Sequence, residues 1–413
     1  FNLYDELRKQ CIKPCKSIYL SMLKVTYCSQ KGKVIHDHII GSGLERDGTL
    51  VTMLVDMYIK CGNLAEANIV FCMYSHHDVV SFSTIITGYT QYGKGVEALH
   101  MFERMQAEGI VADPFIYSCV LKACGSTKNV ELGKTIHENV IKSGYESDAI
   151  VGNTLIDMYF SFAYFKEARY VFDFQSNRNM VSWSTIIGGY VQHGFDIPAL
   201  SLYQRMQNER VYVNKVTLIF ILKACCNVES VEIGQQIHNE VEKQGFLEEN
   251  VVLGNAIIDM YSKCNMLEKA RQVFDALPKH DITSWNILIT GYVQHGLNEE
   301  AIECFLCMQD EGLSPDVITF LCIVKACSNI GSLEMGEELY AKLRKQGMAG
   351  KDIVLRTALV DMYSNCGVLG RAHEIFDDTP IHNISLWTAL MSGYAQVGKV
   401  ERVFSLFNTM IKE

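Results

Sequence analysis

The 413-residue chain has little proline, six residues in all, so little in it interrupts long helices. No apolar run approaches the roughly 18–20 residues of a membrane span, which speaks against a membrane partner. Positive charge is not in excess: 37 Lys and Arg face 47 Asp and Glu, for a net charge of −10. That balance argues against duplex DNA, whose non-specific binding rests on phosphate neutralisation, yet it leaves room for a local basic stripe. The chain opens on Phe1 without a secretory or transit pattern and reads as a mature fragment that lacks its targeting information. Signatures of catalysis are missing too. No P-loop, dinucleotide fingerprint or nucleophile elbow occurs. Cys304-x-x-Cys307 has no partner pair at metal-site spacing, and the close pairs His36/His38 and His76/His77 read as surface or packing residues. A cytidine deaminase needs H-x-E followed by P-C-x-x-C. His238 and Glu240 form an H-x-E, but Glu303 rather than Pro precedes Cys304. No enzyme activity, metal or cofactor is expected of this chain.

What the sequence does have is self-similarity, which decides the fold before any local reading. VVSFSTIITGYTQYG, MVSWSTIIGGYVQHG, ITSWNILITGYVQHG and ISLWTALMSGYAQVG begin at residues 79, 180, 282 and 384, spacings of 101, 102 and 102. Each long period holds three repeats. The first type covers 79–113, 180–214, 282–316 and a partial 384–413; the second, with an LKAC-type core and a GK-x-IH-like element, covers 114–148, 215–250 and 317–352. The third, with a core such as LIDMY, covers 48–78, 149–179, 251–281 and 353–383. A shortened second-type repeat at 16–47 precedes them, and 1–15 reads as the remnant of an earlier one. Of the 15 Cys, Cys124, Cys225 and Cys327 recur in register in one type, and Cys61, Cys264 and Cys366 in another. Register of that kind suits small packing residues, so reduced core thiols are expected rather than bridges.

Within a repeat, apolar residues recur at helical spacing, a Gly and a polar turn intervene, and a second helical stretch follows. In 79–113 the spacing predicts helices over about Ser83–Tyr92 and Gly95–Gln106, with Gly93 and Gly109 at helix ends. Such a hairpin cannot bury its apolar face alone, so neighbours must stack. The fold class expected is an all-α solenoid of stacked antiparallel helix-turn-helix repeats.

The motifs V-S-W-x-x-I-I-x-G-Y, L-K-A-C, G-K-x-I-H and D-M-Y-x-K-C-G, in repeats of 35, 35–36 and 31 residues, resemble the pentatricopeptide repeat proteins of the plant PLS subclass. The resemblance covers residues 16–413. It implies a right-handed superhelix, P-, L- and S-type repeats, and binding of single-stranded RNA at one base per repeat. It also implies a mitochondrial or plastid setting and RNA modification by C-to-U editing, with a deaminase-bearing protein or editing co-factors supplying catalysis. The alternatives are mRNA processing, stabilisation or splicing support, or a protein-binding scaffold of tetratricopeptide type. Departures occur where 16–47 lacks about three residues at its helix junction and where Ser161, Phe162 and Ala163 replace Lys-Cys-Gly. Glu337, Glu338, Leu339 and Tyr340 likewise replace the GK-x-IH ending.

The last residue of each complete repeat is Asp or Asn: Asp47, Asp78, Asp113, Asp148, Asn179, Asn214, Asn250, Asp281, Asp316, Asp352 and Asn383. Helix N-caps favour both residues. Base reading would use them differently, since a carboxylate only accepts hydrogen bonds while an amide also donates. Asp would thus suit uracil or guanine, and Asn adenine or cytosine. The resemblance implies that the fifth residue, at the opening of the first helix, joins in: Thr52, Ser83, Asn153, Ser184, Asn255, Asn286, Thr357 and Thr388. A solvated helix start is the plainer account of these polar residues. Leu20, Ser118, Ile219 and Leu321 take the fifth place in second-type repeats, which read as spacers. Pairing the positions as the resemblance implies, with the amino end toward the 5′ end, gives x-G-G-x-Y-A-x-U-U-x-A as the target. Val80, Ile150, Val181, Val252 and Val354 would wedge between bases or pack in the core. Lys24, Lys122, Lys223 and Lys325 lie four residues beyond the fifth place, where third-type repeats carry Asp56, Asp157, Asp259 and Asp361. These form Lys–Asp pairs between repeats, or Lys122, Lys223 and Lys325 contact phosphates, with Lys60 and Lys263 as weaker phosphate candidates.

Overall fold

The computed structural model describes residues 14–347 and 352–412; the expected remnant at 1–15 lies, but for two residues, outside them. Every regular element among the described residues is helical. In 79–113 the helices run Val79–Gln91 and Gly95–Ala107. The first begins four residues before the apolar spacing predicts, because Asp78 starts it: Asp78 Oδ1 accepts the Ser81 N–H at 2.8 Å and Ser81 Oγ accepts the Asp78 N–H at 2.9 Å. This capping box satisfies donors that a helix start leaves open. The fifth residue therefore sits a full turn inside its helix instead of at the opening. Gly93 and Gly109 close the two helices in left-handed geometry, φ 68° and 74°. Where 149–179 has Ala163 in that role, a side chain is forced to φ 61°, a conformation that disfavours L residues. The shortened repeat is short in its first helix, Lys16–Lys24, against fourteen residues in Pro114–Thr127.

The chain divides into two compact units, Phe1–Asn214 and Lys215–Glu413. Inside each unit the hairpins follow in chain order, and each first helix packs on the first helix of the next hairpin. The sequence motifs turn out to be halves of contacts between neighbours. The Gly of the GK-x-IH element meets the Met of D-M-Y: a Cβ on Gly133 would stand 2.9 Å from Met158 Sδ, and one on Gly234 2.5 Å from Met260 Sδ. The Trp of V-S-W packs edge-on against a Phe of the preceding repeat, Phe172–Trp183, Phe274–Trp285 and Phe376–Trp387, with centroids 4.6 to 4.8 Å apart. Below each Phe lies the residue before the terminal Asp or Asn. His280 and His382 stack on Phe274 and Phe376 at 4.0 and 4.2 Å, and His77 stacks on Phe71 at 4.0 Å. Such ring pairs add about 0.5–1.5 kcal/mol beyond burial.

All described cysteines are free thiols. Cys124, Cys225 and Cys327 are fully buried, whereas Cys61, Cys264 and Cys366 are only half-buried, because they cap the ends of first helices rather than face the core. Cys304 is buried beneath the Arg271 guanidinium, 3.4 Å away.

The GK-x-IH histidines meet the D-M-Y tyrosines. His36 Nδ1 shares a hydrogen bond with the Tyr58 hydroxyl at 3.0 Å, His137 with Tyr159 at 2.7 Å and His238 with Tyr261 at 3.0 Å. Tyr340 takes this place in the last pair, edge-on to Tyr363, and leaves the buried Tyr363 hydroxyl without a partner among the described residues. Burial pushes the pKa of His36, His137 and His238 down and those of Tyr58 and Tyr159 up to about 12. The folded state therefore prefers neutral imidazoles. Its stability is complete above the unfolded His pKa of about 6.5 and is lost as pH falls through the lower folded values. Urea unfolding followed from pH 7.5 to 5 should show falling stability, with a shallower slope in His137→Gln; an unchanged slope in the variant would count against this coupling.

Candidate nucleic-acid interface

The terminal Asp and Asn are helix caps, and the cap determines what each has left to offer. Asp113 Oδ1 accepts the Ile116 N–H at 2.8 Å and Asn383 Oδ1 the Leu386 N–H at 2.8 Å; Asn179 Oδ1 accepts both Val181 and Ser182 N–H, at 2.9 and 3.0 Å. Asp47, Asp78, Asp148, Asn250, Asp281, Asp316 and Asp352 cap in the same way. With its oxygen engaged, a capping Asn turns its NH2 outward as a donor. A capping Asp keeps a second oxygen as an acceptor. Capping and base discrimination are thus compatible uses of one side chain.

Three of the expected pairs meet across neighbouring hairpins. Ser184 Oγ lies 3.3 Å from Asn214 Oδ1, and Asn255 Nδ2 donates to Asp281 Oδ1 at 3.2 Å. Asn286 Nδ2 donates to both oxygens of Asp316 at 3.0 Å. Partial burial pushes the Asp281 and Asp316 carboxyls up, but the hydrogen bonds from Ser284 and Asn255, and from Thr319 and Asn286, outweigh it and hold both below the usual carboxylate range. Both are therefore pure acceptors at neutral pH. No hydrogen bond joins the side chains of Thr52 and Asp78, Ser83 and Asp113, Asn153 and Asn179, or Thr357 and Asn383 among the described residues. The hydroxyls of Thr52, Thr357 and Thr388 bond back to Gly48, Ile353 and Ile384 carbonyls instead. Asn153 Oδ1 is buried without a partner.

The second residue of the repeats is where sequence left two accounts open, and burial separates them. Val80, Ile150, Val181, Val252 and Val354 are 52 to 66 % exposed, so they are not core residues. Sequence reasoning missed Phe115, Val216 and Ile318, equally exposed in second-type repeats; their identical register to Val80 was the available signal.

Two equivalent cavities lie between third- and first-type first helices. One, about 300 Å3, is lined by Asp56, Lys60, Ser83, Thr87, Gln91 and Phe115. The other, about 400 Å3, is lined by Asp259, Lys263, Asn286, Thr290, Gln294, Asp316 and Ile318. A larger cavity of about 530 Å3 beside His36, Met73 and Tyr74 contains none of the paired residues. The expected Lys–Asp pairs between repeats do not form. Asp56 and Asp259 bind Lys60 and Lys263 one turn along their own helices, at 2.6 and 2.7 Å. Desolvation pushes Asp157 and Asp361 up, and Lys122 and Lys325 oppose it only through space. Lys122, Lys223 and Lys325 remain exposed.

The PPR repeat family profile matches residues 77–126 and 280–329, and the PPR repeat profile matches 181–211, 255–282 and 385–413. The chain is 31 % identical to the pentatricopeptide repeat-containing protein At4g18520, chloroplastic, of Arabidopsis thaliana over its whole length and 67 % of that protein. It belongs to the pentatricopeptide repeat family. At4g39530 and At2g03380, mitochondrial, from the same plant are each 32 % identical to it. The chain spans 48 to 67 % of the length of these three relatives. Among solved structures, the pentatricopeptide repeat protein PPR10 in complex with an 18-nt psaJ RNA element aligns with all of this chain and 65 % of its own, at TM-score 0.77 and 16 % identity. PPR10 from maize aligns at TM-score 0.67 and 18 % identity. The fold is the all-α repeat solenoid of that family.

Removing a cap while keeping the fold tests its structural share. Asp113→Ala should cost about 0.5–2 kcal/mol in urea unfolding, while Asp113→Asn should stay near wild type; equal losses would contradict a capping role.

Proposed function

We propose that the chain binds single-stranded RNA and reads one base per first- or third-type repeat through its fifth and terminal residues. The observation that carries this is the cavity where Asn286, Asp316 and the exposed Ile318 converge. It offers a fixed acceptor, a donor and an apolar wall, which suit the edge and face of an unstacked base. Thr52/Asp78 and Ser83/Asp113 select G, Asn153/Asn179 a pyrimidine, and Ser184/Asn214 A. Asn255/Asp281 and Asn286/Asp316 select U, and Thr357/Asn383 A; Thr388 opens a further reading pair. Val80, Ile150, Val181, Val252 and Val354, joined by Phe115, Val216 and Ile318, wedge between bases. Lys122, Lys223 and Lys325 contact phosphates. The RNA held by PPR10 in the same fold supports the reading. A tetratricopeptide-like peptide groove would need no alternation of Asp and Asn at helix caps.

The biological role that best fits the PLS-type alternation is recognition of a C-to-U editing site in a mitochondrial or plastid transcript. Relatives named chloroplastic and mitochondrial support the setting. A deaminase-bearing protein or co-factor would supply the chemistry. Transcript stabilisation or splicing support is the second reading, and the same binding face would serve it.

Fluorescence anisotropy with AGGACAAUUAA against AAAACAACCAA tests base reading. A preference of tenfold or more for the first, about 1.4 kcal/mol, is expected, and Asp316→Asn should shift the preference at the ninth base from U towards C. Equal affinity for both RNAs would sink modular reading. The Lys122→Ala/Lys223→Ala protein should lower the salt slope of log affinity by about 1.4, two single-strand phosphate contacts; an unaltered slope would remove these lysines from the interface.

A further inference from the structure

The repeats 251–281 and 282–316 carry the same reading pair, Asn255/Asp281 and Asn286/Asp316, yet the two amides are held differently. Asn286 is tied at both ends. Its Nδ2 donates to Asp316, and its Oδ1 lies 2.5 Å from the hydroxyl of Thr319, the third residue of the following repeat. Thr319 is fully buried, accepts the Asp316 N–H at 3.2 Å and lies 2.9 Å from Asp316 Oδ1. The third residue after Asp281 is Ser284. It makes the same capping contacts, accepting the Asp281 N–H at 3.2 Å and lying 2.9 Å from Asp281 Oδ1, but it does not reach the amide. Asn255 Oδ1 is buried with no hydrogen-bond partner among the described residues.

We propose that Thr319 is a positioning residue that locks the Asn286 amide against Asp316 and makes repeat 282–316 stricter for uracil over cytosine than repeat 251–281. The inference rests on the base reading proposed above. The physical reason is what each amide can present. Uracil offers an N3–H to the carboxylate and carbonyl oxygens to an amide N–H. Cytosine offers a bare N3 to the carboxylate and, in place of one uracil carbonyl, an amino group, so an amide facing that edge gains there only by turning its oxygen to the base. Asn286 cannot turn without breaking the Thr319 bond and directing its oxygen at Asp316. Turning Asn255 also directs its oxygen at Asp281, but it breaks only the one bond from Nδ2, because that oxygen has no hydroxyl bond to lose. Thr also holds its hydroxyl more firmly than Ser, because two heavy atoms on Cβ restrict χ1. Thr319 is not among the residues lining the cavity, so it acts through Asn286.

The test uses the full chain and RNAs of the AGGACAAUUAA series with U or C at the eighth base, facing Asn255, or at the ninth, facing Asn286. In wild type the U-over-C ratio of affinities should be at least threefold larger at the ninth base. Thr319→Ser, which keeps the capping box, and Thr319→Val, which removes the hydroxyl, should each lower the ninth-base ratio at least threefold and leave the eighth-base ratio unchanged. Ser284→Thr should raise the eighth-base ratio alone. A ninth-base ratio that stays at the wild-type value in both Thr319 variants overturns the inference. So does a lowered melting temperature with equal weakening towards every RNA, which is what a purely structural hydroxyl would give. Wild type without U-over-C selectivity at either base overturns the base reading itself, and this inference with it.

Discussion

From Asp47 to Asn383, ten first helices start on a side-chain oxygen that accepts a backbone N–H inside the helix. The rest of the architecture depends on that bond. By setting where each helix begins, it sets which residue is second, third and fifth, and so which face each side chain takes. Moving the start by one residue would rotate the pattern by about 100°, bury Val181 or Ile150, and swing Asn286 away from Asp316. The same oxygen, once engaged as a cap, also fixes the chemical sense of what remains: a donor for Asn, an acceptor for Asp.

Stacking then depends on contacts shared between consecutive hairpins. Gly and Met, His and Tyr, and Phe and Trp each contribute half of a contact whose other half lies in the adjacent repeat. No hairpin has a complete core of its own, which is why the motifs recur with the period of three repeats and not singly. Where one half changes, the other records it. Tyr340 in place of His leaves the Tyr363 hydroxyl without a partner among the described residues, and Ala163 must take the left-handed turn that Gly62 and Gly367 occupy in sister repeats. These positions strain the array locally without interrupting it.

Within each unit the first helices carry exposed apolar second residues, capping Asp and Asn, and exposed lysines at 122, 223 and 325, on a chain whose net charge is negative. In the proposed reading, apolar side chains meet base faces, short polar ones meet base edges, and a few lysines serve the backbone in place of a broad basic surface.

Sequence by itself determined the repeat, its three lengths, the helical hairpin and the two polar positions, because periodicity and residue type are properties of the chain. The start of the first helix in 79–113 was misread by four residues, since apolar spacing is silent on a cap that lies outside the apolar stripe, whereas the second starts at Gly95 as expected. Tertiary structure alone decided that Val80 and its counterparts are exposed, that Phe115, Val216 and Ile318 join them, and that Asp56 and Asp259 turn to lysines on their own helices. It alone decided, too, which fifth and terminal residues touch. The reason is common to all of these: a sequence states which residues share a helix face, but whether a neighbour covers that face depends on how closely the next hairpin approaches, and that distance is set by Gly, Met and Trp contacts made a repeat away.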